Sequence, residues 1–140
     1  DSMTKSVVKK RVLISCIAVL IAMIIAIAVF VLSVWAPLFG VMRECRGVFS
    51  GKILSEDENL GRFNFDNDDR ITGAAEIKGF IFFTYACHNE NEGVIYAYSR
   101  RSYYNSNGKL IYRGVLEPMK IEVEKAGGEW KVSYICYLVI

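Results

Sequence analysis

The sequence lacks the residue combinations that most enzymes use. It has a single histidine, His88, and no recognisable nucleophile triad, glycine-rich phosphate loop, pair of catalytic carboxylates or zinc-ligand spacing. The histidine follows Cys87, but adjacent residues on a strand point to opposite faces, so the two side chains are badly placed to share a proton. The sequence therefore predicts a protein that is not an enzyme and that holds no cofactor or metal.

The acidic run over 66–69 has the composition of a calcium loop without its pattern. An EF-hand loop needs an oxygen ligand at its fifth position and glycine at its sixth, where this chain has Arg70 and Ile71. We expect a solvated hairpin turn.

An excess of charge is also missing after the first 42 residues. Four of the 17 Lys and Arg and one of the 15 Asp and Glu precede Arg43, which leaves 13 basic and 14 acidic residues in the remainder. This balance gives no support to nucleic-acid binding. Arg and Tyr residues cluster between 96 and 104, and there a polypeptide or an amphipathic small molecule is the better expected ligand.

Polar side chains are almost absent from Val12 to Val34, where only Ser15, Cys16 and Ser33 carry a polar atom. A helix over 12–34 rises roughly 34 Å and can cross a hydrocarbon core of about 30 Å. The predicted helix extends to residue 35. The sequence predicts one transmembrane helix in a lipid bilayer. A cleaved secretory signal is the alternative, but its apolar region spans only roughly 7–15 residues.

The residues that flank this helix predict its orientation. Residues 1–11 carry four basic side chains, whereas Trp35 and Pro37 suit the far interface and the helix end. By the positive-inside rule, 1–11 form a cytoplasmic tail, 36–45 a linker and 46–140 an extracytoplasmic domain. Within the helix, Ala18, Ala22 and Ala26 form a small-residue stripe on which a partner helix can pack. Simple lipid exposure explains the same alanines.

Turn signals about every ten residues and no sustained helical period predict that the outer domain is all-β. Strands are expected over 46–54, 62–65, 76–87, 94–104, 109–115, 119–125 and 130–140, with hairpin turns at 88–93, 105–108 and 127–128. Successive hairpins indicate an antiparallel meander. Six or seven strands of this length favour a curled sheet or a small barrel.

One of these strands is aromatic on both faces. The run from Phe80 to Cys87 predicts a central strand, or one whose second face is covered. With Tyr96 and Tyr98 of the next strand, Phe80 and Phe82 form a candidate interface or ligand face. The last residues, 134–140, are also apolar on both faces, so we expect them to pair within a barrel, to meet a partner or to continue into a longer protein.

Three of the four cysteines lie outside the predicted helix. Cys45, Cys87 and Cys136 allow three pairings for one disulfide, and the sequence does not choose among them. Three reduced, buried thiols are the alternative.

The layout resembles a known group of proteins. A short basic tail, one membrane helix, a cysteine soon after it and glycine-punctuated segments reading GVFSGKI, GRFNFDN and ITGAAEI are similar to the FidL-like group of enterobacterial inner-membrane proteins. That group is similar in layout to the small periplasmic companions of ToxR-type membrane regulators. The resemblance implies a lipocalin-like barrel in the periplasm, anchored in a bacterial inner membrane, that completes a partner's domain and can shelter a bile-salt-like ligand.

These observations together predict a single-pass membrane protein that acts by binding another membrane protein, for which a ToxR-type regulator is one candidate. A sensor or carrier of an amphipathic small molecule is the alternative, with the aromatic residues lining a cavity. A third hypothesis is an envelope immunity or assembly factor.

Overall fold

The computed structural model describes residues 1–67 and 72–138, and the chain divides into two compact units at Ala36/Pro37. The first unit is helix α1, Ser2–Trp35, in which no residue is buried. The helical stretch Ser2–Phe49 contains a segment that is long and apolar enough to cross a membrane. Asp68 and Asp69 of the expected acidic turn, and the last two residues of the apolar C-terminus, lie outside the described residues.

The second unit begins with helix rather than with a linker and a strand. A 3₁₀ turn, Ala36–Leu38, leads into helix α2, Phe39–Phe49, so most of the predicted linker over 36–45 is helical and the predicted strand over 46–54 is wrong. The buried residues of α2 recur at helical spacing, which places them along one side of the helix. They are Val41, Met42, Cys45, Val48 and Phe49.

Gly51 ends this helix, which explains why the GVFSGKI segment is not a strand. Its φ of +79° is a conformation that side chains with a Cβ rarely adopt. The Gly51 N–H donates to the Val48 carbonyl oxygen at 3.1 Å, and the Lys52 N–H donates to that of Gly47 at 3.0 Å. This pair of bonds is the Schellman motif that closes many helices.

The predicted strand over 62–65 is also wrong, because a 3₁₀ helix occupies Leu60–Phe63. Asp57 Oδ1 accepts hydrogen bonds from the N–H groups of Asn59 and Leu60, both at 2.9 Å, and so satisfies donors at the start of this turn. The buried Asn64 side chain then bonds both backbone groups of Ser55, at 2.8 and 2.9 Å. A second 3₁₀ turn follows at Phe65–Asn67.

The remainder forms one antiparallel sheet, as the sequence predicted, with five strands rather than six or seven. They are β1 (Glu76–His88), β2 (Glu92–Tyr104), β3 (Leu110–Arg113), β4 (Glu117–Ala126) and β5 (Glu129–Tyr137). The order is β1-β2-β4-β5. β3 and β4 both pair with the edge of β2 opposite β1, and they lie end to end along that edge. β1 and β5 are edges, so the described strands form an open sheet and not a closed barrel.

All three predicted hairpin turns are confirmed. Oδ1 of Asn89 accepts backbone N–H bonds within the first turn, and Oδ1 of Asn105 does so within the second. Gly127 and Gly128, with φ of +60° and +83°, make the third turn. Two adjacent positive φ values are the geometry that suits a two-residue hairpin loop.

The core lies between one face of the sheet and α2 with the segment that follows it. Alternate residues of β2 and β4 are buried on this face, among them Ile95, Ala97, Met119 and Ile121. The Arg101 side chain is also buried there. Its guanidinium donates to the carbonyl oxygens of Val48 and Phe63 and lies over the Phe49 ring at 5.0 Å. The opposite face of the sheet carries the candidate residues.

Candidate functional site

Five aromatic side chains lie together on the sheet face opposite the core. Phe80, Phe82 and Tyr85 of β1 and Tyr96 and Tyr98 of β2 form what we call the aromatic face. Four of the five are the residues that the sequence proposed for an interface or ligand face. The structure brings these four together because Phe82 is directly paired with Tyr98, and Tyr96 and Phe80 lie two residues away on the same side of their strands.

The rings contact one another across and along the strands. The Phe82 and Tyr98 ring centroids are 5.5 Å apart and nearly parallel, and those of Phe80 and Phe82 are 6.2 Å apart. Tyr85 and Tyr96 are also 6.2 Å apart. Such cross-strand aromatic pairs stabilise a sheet by roughly 0.2–1 kcal/mol each.

The sequence did not predict Tyr85 on this face, because a bulge changes which face the later residues of β1 occupy. The register shifts between Phe83 and Tyr85, so Phe82 and Tyr85, three residues apart, share a face. Thr84 occupies the bulge and its hydroxyl donates to the Tyr96 carbonyl oxygen at 3.1 Å. The alternating pattern of the sequence contains no signal for this insertion.

Strand β1 is an edge, so the prediction of a central strand is wrong. Within the described chain, Phe80 stays 47% exposed, Phe82 43% and Tyr85 56%. A strand with aromatic residues on both faces normally has both faces covered. Here the described residues cover only the core face, which Ile77 and Ile81 enter.

The aromatic face is basic at one end. Arg100 pairs with Phe80, and Lys78 and Arg113 lie beyond them because both pair with Ser102, which shares the face with Arg100. Glu76, two residues from Lys78 on the same side of β1, is an acidic residue at this end. The Lys78 ammonium lies 5.2 Å from the centroid of the Tyr104 ring.

The other end of the face carries more acidic than basic side chains. Glu92 and Glu124 are paired, Glu122 lies two residues from Glu124 on the same side of β4, and Lys131 of β5 pairs with Glu124. Glu122 Oε1 is 3.1 Å from Lys120 Nζ, and this hydrogen bond raises the pKa of Lys120. A groove of about 610 Å³ runs along this end, with Tyr96 and Lys120 among its lining residues.

The two sheet edges differ in how they are protected. Beside β5, the Arg62 guanidinium donates to the Ile135 carbonyl oxygen at 3.1 Å, and the Asn59 side-chain amide donates to that of Val132 at 3.4 Å. These side chains occupy acceptors that another strand would use. For β1, no strand of the described chain pairs with the edge opposite β2.

A cavity of about 230 Å³ lies on the core side of the sheet. Ser99, Arg101, Tyr103 and Tyr112 are among its lining residues, and none of the aromatic-face residues takes part. Ligand pockets for small molecules usually enclose roughly 300–1,000 Å³. The four proposed aromatic residues do not line this cavity, and Tyr96 borders the open groove at the other face instead.

The structure holds the three outer cysteines apart, and all are free thiols. Cys45 is buried in α2, whereas Cys87 and Cys136 lie on the opposite sheet face. Cys87 on β1 and Cys136 on β5 are three strand spacings apart, roughly 14 Å, whereas a disulfide requires Cα atoms within about 7 Å. The disulfide expectation within one chain does not fit this fold.

The environments of these thiols also differ. Burial, reinforced by the negative charges of Glu44 and Asp57, raises the pKa of the Cys45 thiol to about 12. Cys87 is exposed, and its hydrogen bond with the Tyr85 side chain raises the pKa of Tyr85. Cys45 is therefore an inert core residue, which is the usual role of a buried cysteine.

The proposed helix stripe lies in α1. Ala18, Ala22 and Ala26 are four residues apart in a continuous helix, and all three are exposed. They share one side of the helix by its geometry. Their contact with a partner helix stays a prediction.

Within residues 1–67 and 72–138, no group of three or more His, Cys, Asp and Glu side chains is placed to hold a metal ion. The described features are a membrane-length apolar helix and a sheet domain with one face uncovered. No protein-family model, curated protein or solved structure matches the chain.

Proposed function

We propose that this protein is a single-pass membrane-anchored binding protein whose outer sheet domain binds the outer domain of another membrane-anchored chain. The observation that carries the proposal is the aromatic face, in which Phe80, Phe82 and Tyr85 remain about half exposed. Contiguous apolar patches of this kind on a folded domain mark interaction sites. The edge of β1, which no other described strand pairs with, borders the same face and offers backbone groups to a partner.

The proposed anchor is the apolar segment of α1, with the N-terminus in the cytoplasm and the sheet domain outside. Four basic residues precede the segment, which supports this orientation. A bacterial inner membrane, a periplasmic domain and a ToxR-type regulator as one candidate partner follow from the FidL-like resemblance.

A surface-binding role suits this sheet better than the alternative role of enclosing a small molecule. A lipocalin-like barrel would need β1 and β5 to pair with each other, and both are edges of the described sheet. The proposed aromatic residues lie on an outer face of the described sheet, which the surface of another protein can cover, and Tyr96 borders an open groove rather than an enclosed cavity.

Site-specific crosslinking in intact membranes tests the proposal. A photoreactive amino acid at Phe82 of the full chain should give adducts with a membrane protein after irradiation. The matched control is the same amino acid at Lys52, which is exposed just after α2 and away from the aromatic face. Adducts at neither position, or equal adducts at both, would contradict the proposal.

A further inference from the structure

We propose that the chain bound to the aromatic face is a second copy of this same protein. The inference rests on the proposed function, because it names the partner of that surface. Its basis is the size of the face, the complementary charges at its two ends and the positions of its rings.

Two sheets that pack face to face in a symmetric dimer are related by a two-fold axis that lies between them. An axis parallel to the strands would place the two basic ends together and the two acidic ends together. An axis perpendicular to the strands reverses the strand direction and places each basic end on the acidic end of the second copy. The excess of basic charge at one end and of acidic charge at the other therefore favours the second arrangement.

The register of the sheet positions one ion pair in this arrangement. On β2, Ser102 and Glu92 lie five residues to either side of Ala97, and their partners on the neighbouring strands are Arg113 and Glu124. Because β3 and β4 pair with the same edge of β2, Arg113 and Glu124 occupy the same lateral position in the sheet. A two-fold axis at the level of Ala97 places Arg113 opposite Glu124 of the second copy, twice per dimer.

The same axis brings the rings together. The axis exchanges the Phe82–Tyr98 pair with the Tyr85–Tyr96 pair. Phe82 then lies opposite Tyr85 of the second copy, and Tyr98 lies opposite Tyr96 of the second copy. The groove at the acidic end, lined in part by Glu122, then lies under Tyr98 and Arg100 of the other chain. Aromatic rings and arginine are the side chains most enriched at the centres of protein interfaces.

The size of the face suits such a dimer. β2 has 13 residues and four strands lie side by side, so the face measures roughly 40 Å by 19 Å, on the order of 750 Å². A stable interface buries about 800 Å² on each partner.

Charge reversal distinguishes a second copy from any other partner. Full-length chains with two different tags are co-expressed in membranes, with the photoreactive amino acid at Phe82 of one of them. Arg113→Glu alone and Glu124→Arg alone should each reduce the crosslinked dimer about tenfold, because each places two like-charge pairs in the interface. Co-expression of Arg113→Glu with Glu124→Arg should restore the dimer, since both contacts between these two chains then join opposite charges.

The matched controls reverse exposed charges away from the aromatic face. Arg43→Glu in α2 and Glu58→Arg in the segment before the sheet should leave the dimer yield unchanged. If the single variants at Arg113 and Glu124 left the dimer yield unchanged, the second copy would be overturned as partner. Failure of the co-expressed variants to restore the dimer would overturn it too. Adducts with a different membrane protein only would also overturn it, while leaving the proposed function standing. No adducts from Phe82 at all would overturn both.

Discussion

The Arg101 guanidinium on β2 donates a hydrogen bond to the Val48 carbonyl oxygen at 3.0 Å, and so ties the sheet to the last turn of α2. The carbonyl groups at a helix end have no partner inside the helix, and a cation there also suits the helix dipole. This contact holds α2 against the core face and leaves the aromatic face as the uncovered side of the sheet.

Removing this contact should destabilise the outer domain. Arg101→Met keeps an apolar stem but removes the Arg101 hydrogen bonds to the Phe49 and Phe63 carbonyl oxygens, which we expect to lower the free energy of unfolding by about 2–4 kcal/mol. The measurement is urea unfolding of the full chain in detergent, followed by Trp130 fluorescence in a Trp35→Phe background. Arg43→Met, at an exposed position of α2, is the control and should change stability by less than about 0.5 kcal/mol. Equal effects of the two variants would contradict the role given to Arg101.

Gly79 should tolerate no side chain. A Cβ at this position of β1 would meet the carbonyl oxygens of Phe49 and Arg100, the second at 2.9 Å. Gly79→Ala must therefore push α2 away from the sheet, and we expect a loss of about 1–3 kcal/mol by the same unfolding measurement. The control is Gly40→Ala in α2, where a Cβ meets nothing within 4 Å and where alanine favours a helix by up to about 1 kcal/mol. A neutral Gly79→Ala would show that α2 does not pack as described.

Burial of Cys45 predicts a loss of stability at high pH. The thiol pKa is about 12 in the folded protein against an ordinary 9.0, so above pH 9 the unfolded chain loses this proton while the folded chain keeps it. The folded state then binds more protons, and the free energy of unfolding falls as pH rises, by about 1.4 kcal/mol at pH 10.

Cys45→Ala isolates this contribution from the tyrosines and lysines that titrate in the same range. The difference in unfolding free energy between the natural protein and Cys45→Ala, measured from pH 7 to pH 10, should shrink by about 1.4 kcal/mol. If the difference in unfolding free energy between the natural protein and Cys45→Ala did not change with pH, Cys45 would not be held as a protonated core thiol. The same burial predicts that thiol reagents modify the exposed Cys87 before Cys45 in the folded protein.

The aromatic face should be nearly dispensable for folding. Phe82→Ser removes a half-exposed ring, so we expect a cost of about 1 kcal/mol or less in the unfolding assay together with loss of partner crosslinking. Ile81→Ser, one residue away on the core face, is the contrasting variant, because Ile81 is buried and should cost about 3 kcal/mol or more. If Phe82→Ser destabilised the domain as much as Ile81→Ser, the face would be part of the core.

Reporter fusions after Ile140 test the proposed orientation. An alkaline phosphatase fusion should be active and a cytoplasmic reporter fusion inactive, because alkaline phosphatase needs the oxidising outer compartment. Reversing the basic tail with Lys9→Glu and Lys10→Glu should lower the phosphatase signal if these charges set the orientation. Activity of the cytoplasmic reporter alone would reverse the proposed topology.

The sequence predicted the sheet well and the first part of the outer domain poorly. The hairpin turns at Asn105 and at Gly127 were readable because short turns need particular residues at particular positions. Residues 39–49 were predicted to be linker and strand, although Val41, Cys45 and Val48 recur at helical spacing and Gly51 is a typical helix stop. Two glycines within the segment, Gly40 and Gly47, obscured that signal because glycine disfavours helix interiors.

The candidate face was only partly predictable. Alternation grouped Phe80 with Phe82 and Tyr96 with Tyr98, since residues two apart on a strand share a face. Tyr85 needed the bulge at Thr84. The positions of Arg113 and Glu124 beside one edge of β2 needed the register between strands far apart in sequence.

By itself, the amino-acid sequence determined the local features of this protein. These are the apolar helix over 12–35, the hairpin turns and the alternation along each strand, all of which depend on neighbouring residues. The tertiary structure alone decided that, among residues 1–67 and 72–138, β1 is an edge, α2 covers one face of the sheet and the aromatic face remains open. Those outcomes depend on strand order and on contacts such as that between Arg101 and Val48, 53 residues apart, which no local pattern encodes.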